Sequence, residues 1–209
     1  GTGGKWLLDP TNITIVGAPD GSADEVDVPD LSDSDNNPFS PQDPADGSND
    51  SDDGLGNQDS IFWVNDSLIN TALDEDAKVH LQTNDEGGKQ GDIDLRADAS
   101  INTSGTATLQ LDAHDDILIN GSIGTNGSGV LDLILQADYD GDNSASNIEI
   151  NNTVSINGGD FTAKLPGAFD NNSVINAAGG NIEINNTGIF TGDAESLQTN
   201  SNGTIALNQ

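Results

Sequence analysis

The 209-residue chain contains no cysteine and no methionine, and five lysines and arginines stand against 36 aspartates and glutamates. Without cysteine no disulfide can staple the fold, which must be held by packing and hydrogen bonds. A formal net charge of −31 makes nucleic acid, anionic lipid and acidic polysaccharide poor partners, because like charges repel within a Debye length. Cations are the expected company. Long hydrophobic runs are also missing: the longest, Ile61-Phe-Trp-Val64, falls far short of a membrane span or a signal-peptide core. Aromatics make up 4% of the chain, too few to line a long sugar cleft. Runs of Ala, Leu, Glu and Lys that would favour helix are absent, and Gly, Asn, Asp, Ser and Thr dominate.

What is present is repetition. Gly91-Asp-Ile-Asp-Leu95 is answered by Asp116-Ile-Leu-Ile-Asn120, and Ala107-Thr-Leu-Gln-Leu-Asp-Ala113 by Leu131-Asp-Leu-Ile-Leu-Gln-Ala137. Two unrelated strand patterns recur with one spacing of about 24 residues, which a coil returning to its own edge requires and a hairpin protein does not. Ile93, Leu95, Ile117 and Ile119 alternate with polar or solvent-facing positions, the period-2 signature of a strand with one buried face. Short strands around Ile101 and Ile123 follow, then longer ones through Leu109 and Leu111 or Leu131, Leu133 and Leu135, joined by Asn-, Ser- and Gly-rich corners. Three strands and three corners per turn predict an all-β parallel β-helix of triangular section over residues 1–209.

Within it, residues 17–60 read as an inserted acidic loop, rich in Asp, Ser, Asn and Pro, with Asp33, Asp35, Asp50, Asp52 and Asp53 as candidate calcium ligands. Residues 61–83 read as strand, short helix and strand. Asp66 or Ser67 would cap the helix, and Leu68, Ile69, Ala72 and Leu73 fall on one face. Residues 84–209 carry the regular rungs with loop insertions. There the identical phrases Asn147-Ile-Glu-Ile-Asn-Asn-Thr153 and Asn181-Ile-Glu-Ile-Asn-Asn-Thr187 are expected at equivalent places, with Asn151, Asn152, Asn185 and Asn186 stacked as side-chain ladders at matching corners. Asn102, Asn120, Asn126, Asn151 and Asn185 open glycosylation sequons. The chain does not start with Met and both ends fall in strand-like pattern, so it is expected to be an internal piece of a longer protein.

The phrases Gly4-Lys-Trp-Leu-Leu-Asp-Pro-Thr-Asn-Ile-Thr-Ile15, Ser67-Leu-Ile-Asn-Thr-Ala-Leu73, Val79-His-Leu-Gln-Thr83 and Gly91-Asp-Ile-Asp-Leu95 occur here in that order. Together they resemble the large exoproteins of bacterial two-partner secretion, the filamentous-haemagglutinin-like adhesins. The resemblance implies a secreted, right-handed β-helix at the cell surface, exported through an outer-membrane secretion partner and used in adhesion or biofilm. It transfers no catalytic residues.

For chemistry, Asp138-Tyr-Asp-Gly-Asp-Asn143 offers Asp138, Asp140 and Asp142, with Glu149 at the twelfth place, as a calcium loop of EF-hand spacing. Gly141 stands fourth where the sixth place is wanted. His80 and His114 are expected at surface or corner positions, with no second ligand pattern for zinc. Trp63 is expected to be buried or capping, with a sugar platform as the alternative. Lys5, Lys78, Lys89, Arg96 and Lys164 are too scattered for a polyanion lyase. The expectation is therefore a non-enzymatic stalk or filament segment. Its partners would be a host or neighbouring-cell surface or matrix glycan or protein, or copies of itself. The alternative is a carbohydrate-active or carbohydrate-binding β-helix using a carboxylate pair.

Overall fold

In the computed structural model, which describes residues 5–8, 12–17, 61–84, 91–141, 145–192, 196–200 and 202–209, the chain winds as a parallel β-helix with three faces. Face A stacks seven strands: β1 (Lys5–Leu8), β4 (Lys78–Gln82), β7 (Thr106–Ala113), β10 (Val130–Ala137), β13 (Phe161–Leu165), β16 (Ile182–Asn186) and β19 (Ile205–Asn208). Face B stacks β3 (Ile61–Asn65), β2 (Asn12–Val16), β5 (Ile93–Leu95), β8 (Ile117–Ile119), β11 (Ile148–Ile150), β14 (Phe169–Asn171) and β17 (Phe190–Thr191). Face C is the shortest, with β6 (Ser100–Thr103), β9 (Ser122–Thr125), β12 (Val154–Ser155), β15 (Ile175–Asn176) and β18 (Leu197–Gln198).

The expected vertical register is present. Ile93 lies beside Ile117, and β7 and β10 pair along their whole length from Thr106 with Val130 to Ala113 with Ala137. Because equivalent residues stack, the inward positions form apolar columns. Val79, Leu109, Leu133, Phe161 and Ile182 make one on face A, and Ile13, Ile93, Ile117, Ile148 and Phe169 another on face B; all are buried. At the top of the face-B column Phe169 and Phe190 stack in register with centroids 5.7 Å apart and planes 5° from parallel, while Phe161 meets Phe169 edge-on at 6.3 Å.

Three readings change. The identical seven-residue phrases do not stack: the Ile148 phrase lies on face B and the Ile182 phrase on face A. Both faces ask only for apolar residues at alternate positions, so one phrase satisfies either, and turn lengths decide which face receives it. The second change is in the return from the insertion. Ile61-Phe-Trp-Val64 does re-enter the coil, but β3 pairs with β2 on the side away from β5, so it lies one rung behind its place in sequence. Of residues 17–60, all but Gly17 lie outside the described residues, including the candidate ligands between Asp33 and Asp53.

The third concerns the helix, α1 (Asp66–Asp74), which takes the place of a face-C strand beneath β6. Its cap is Asn65, whose side chain accepts the Ser67 N–H at 2.8 Å, one residue earlier than expected. At its end Ala77 N–H donates to Ala72 O and Asp76 N–H to Leu73 O, with Asp76 at φ 58°, a Schellman ending. Ile69 and Leu73 are buried against the coil. Among the described residues no helix is long and apolar enough to cross a membrane.

At the corner leading from face C to face A, glycine is required by stacking. A Cβ on Gly180 would run into the carbonyl oxygen of Gly159, and one on Gly203 into that of Gly180.

One column supplies a graded test. Leu133 is fully buried, whereas Ile205, at the same inward register on the last strand, is 44% exposed. Leu133→Ala should cost about 3 kcal/mol in urea unfolding and Ile205→Ala less than about 1 kcal/mol. Equal losses would mean that the column is not packed as a continuous core.

Candidate functional site on the acidic face

Where a strand begins, the backbone N–H of each rung is within reach of a short polar side chain one rung below. At the corner before face B this contact repeats four times. Asn12 Oδ1 accepts Asp92 N–H at 2.9 Å, Asp92 Oδ1 accepts Asp116 N–H at 3.1 Å, Asp116 Oδ1 accepts Asn147 N–H at 2.6 Å, and Asn147 Oδ1 accepts Ala168 N–H at 2.8 Å. A similar ladder runs at the start of face A, beginning inside β10: Asp132 Oδ1 takes Asp160 N–H, Asp160 Oδ1 takes Asn181 N–H, and Asn181 Oδ1 takes Thr204 N–H, at 3.0, 2.7 and 3.1 Å. Asp and Asn are interchangeable here because the contact needs only an acceptor.

Asp is the costlier choice where the corner is half buried. Burial pushes the Asp92 carboxyl up to about 6, with the neighbouring charges of Asp115, Asp116 and Asp94 adding to the rise against the Asp116 N–H bond. Burial likewise raises Asp94 and Asp116. Oxygens of Asp92, Asp115 and Asp116 lie within 4.8 Å of one another, and among the described residues these three are the carboxylates placed to share a hard cation. Beside them a groove of about 370 Å³ runs along the outside of face B, floored by Leu118 and walled by Asp92, Asp94, Asp116, Glu149 and Asp170.

The calcium residues expected from spacing divide between two places. Asp138, at φ 52°, ends β10 in a tight turn closed by Gly141 N–H to Asp138 O at 3.2 Å, and Asp140 Oδ2 lies 3.3 Å from His114 Nε2. Glu149 stands in β11 between Leu118 and Asp170 and accepts Asn172 Nδ2 at 3.4 Å, so it belongs to the groove. Asp142 lies outside the described residues.

Both histidines are buried. His114 stands at the corner after β7, one of the two placements expected, whereas His80 lies within β4, where its Nε2 meets Asp112 Oδ2 at 2.7 Å on the outside of face A. Trp63 is buried with the Arg96 guanidinium 5.9 Å over its ring. The asparagine ladders exist in a different register. Asn151 Nδ2 donates to Asn120 Oδ1 and Asn172 Nδ2 to Asn151 Oδ1, both at 2.9 Å, while Asn185 accepts from Asn208 at 2.7 Å. The ladder carboxylates are what sequence reasoning missed. Their signal was an Asp or Asn directly before successive strands.

Compared with protein-family models, with curated proteins and with solved structures, the chain matches none.

The raised carboxyl gives a pH dependence with a definite sign. The folded chain keeps the Asp92 proton up to about pH 6, whereas the unfolded chain releases it near the ordinary value of about 3.9. Between those values the folded state binds more protons, so stability falls as pH rises through the window. The melting temperature should therefore be higher at pH 5 than at pH 7. Asp92→Asn, which keeps the acceptor for Asp116 N–H, should raise it at pH 7 and flatten the dependence. A profile identical in the variant and the parent would remove Asp92 as its source.

Proposed function

We propose that the chain is a structural and adhesive segment of a secreted bacterial surface exoprotein, a rigid solenoid stalk that displays its corners and insertions to a glycan or protein on a neighbouring surface. One observation carries this reading: two faces stack seven parallel strands each without a break, which at about 4.8 Å per rung sets a rod of about 30 Å. The phrases resembling two-partner-secretion adhesins support it, and with them export through an outer-membrane partner. The acidic surface fits a partner that is cationic or neutral, and excludes nucleic acid by charge. Purified chain coated on beads should retain cells or matrix glycoprotein, and charge-matched beads carrying a globular acidic protein should not. Equal retention by both would defeat the adhesive reading.

Calcium belongs to this proposal as a counter-charge, on the geometry of Asp92, Asp115 and Asp116. Melting temperature should rise more in millimolar CaCl₂ than in NaCl of equal ionic strength, and Asp115→Asn should abolish the difference. Equal shifts in the two salts would leave screening alone.

The face-B groove supports carbohydrate binding or cleavage as the second reading, because burial pushes the Asp92 carboxyl up to about 6 and raises Asp94 as well, the direction a general acid requires. Under the first reading a polysaccharide panel releases no reducing ends. Release that disappears in Asp94→Asn/Glu149→Gln would replace it with the second.

A further inference from the structure

Among the described residues the lower edge of face C is β6, whose outward N–H and C=O groups face no further strand. Such an edge is a template for a strand of another chain. In this protein α1 lies along it and supplies side-chain groups in place of backbone. Asp66 Oδ2 accepts Ser100 N–H at 2.9 Å, Asn70 Oδ1 accepts Asn102 N–H at 2.8 Å, and Asp74 Oδ1 accepts Ser104 N–H at 2.7 Å. Asp76, just beyond the helix, accepts Thr106 N–H at 2.7 Å. Every second residue along the edge is thus satisfied by every fourth residue along the helix. The match follows from geometry: four helical residues rise about 6.0 Å and two strand residues about 6.6 Å.

Asn70 goes furthest. Its Nδ2 also donates to Ser100 O at 3.0 Å, so one carboxamide takes both the carbonyl of residue 100 and the N–H of residue 102. In a parallel ladder those two groups bond a single residue of the neighbouring strand. The carboxamide stands where that residue's peptide groups would be.

We propose that α1 is a strand surrogate that closes face C against strand addition from another chain, and that Asn70 and Asp74 keep the molecule from self-associating through β6. The Asp74 carboxyl is held below the ordinary range by the Ser104 N–H and hydroxyl. The inference does not depend on the adhesive reading, since it concerns only what the edge can pair with.

The test is Asn70→Ala/Asp74→Ala, which removes the acceptors while favouring helix and adding no apolar bulk. Amide hydrogen exchange at Asn102 and Ser104 should accelerate at least about tenfold, with Ile123 on β9 unchanged as the sign that the coil is intact. Sedimentation velocity should show a concentration-dependent oligomer that the parent lacks. Asp74→Asn, which discards the charge and keeps an acceptor, should remain monomeric and protected. The proposal is overturned if Asn102 and Ser104 stay protected in the double variant, if they lose protection without association, or if Asp74→Asn associates as well, since charge would then be what separates the copies. Should the double variant unfold, Asn70→Ala alone carries the same two readouts at Asn102, and the same results decide.

Discussion

Parallel pairing in vertical register places every residue about 4.8 Å from its equivalent in the next turn, so inward positions and many corner positions confront residues of like chemistry. Apolar residues gain from this, and the columns through Leu133 and Ile117 become a continuous core. Charged residues lose, because a repeated carboxylate sits above another carboxylate in partial burial. Asparagine escapes the conflict, since one carboxamide can donate to the rung below and accept from the rung above, as Asn151 does between Asn120 and Asn172. Aspartate can only accept. It is tolerated where the next rung presents a backbone N–H, as at the corners for Asp92, Asp116 and Asp160 and inside β10 for Asp132.

The raised Asp92 carboxyl follows from that arrangement. One hydrogen bond from Asp116 does not offset burial together with the charges of Asp115, Asp116 and Asp94. The chain places its most perturbed acids along one outer groove of face B, while Lys78 and Lys164 stand exposed on face A. The groove is therefore electrostatically one-sided, and any ligand for it must bring positive charge, hydrogen-bond donors, or a proton.

Much of the winding was legible from the residues, because the rungs through Ile93, Ile117, Ala107 and Leu131 share turn lengths as well as strand patterns. Where turns change length, the same reasoning misled: Asn147-Ile-Glu-Ile and Asn181-Ile-Glu-Ile are alike in sequence and lie on different faces. Spacing along the chain points to a calcium loop from Asp138 to Glu149, because ligand spacing is a property of one continuous segment. In a coil the short distances run between rungs, and Asp92 meets Asp115 and Asp116 across a full turn. The burial of His80 was illegible for a related reason. It occupies an outward strand position, and its Asp112 partner belongs to the next strand of the face.

The helix shows the limit of substituting one periodicity for another. Asp66, Asn70 and Asp74 read in sequence as the polar side of an amphipathic segment, which is what an exposed face would also display. Against β6 the two repeats differ by about 0.6 Å per step, so from Asp66 to Asp74 the helix falls behind the strand by about 1.2 Å. β6 ends at Thr103, and the edge turns the corner into β7 just beyond it. The chain leaves the helix at that point, and the fourth acceptor comes from Asp76, turned by its φ of 58° to meet Thr106. The nine-residue helix thus spans the edge it covers, and the left-handed residue after it extends the cap by one more contact.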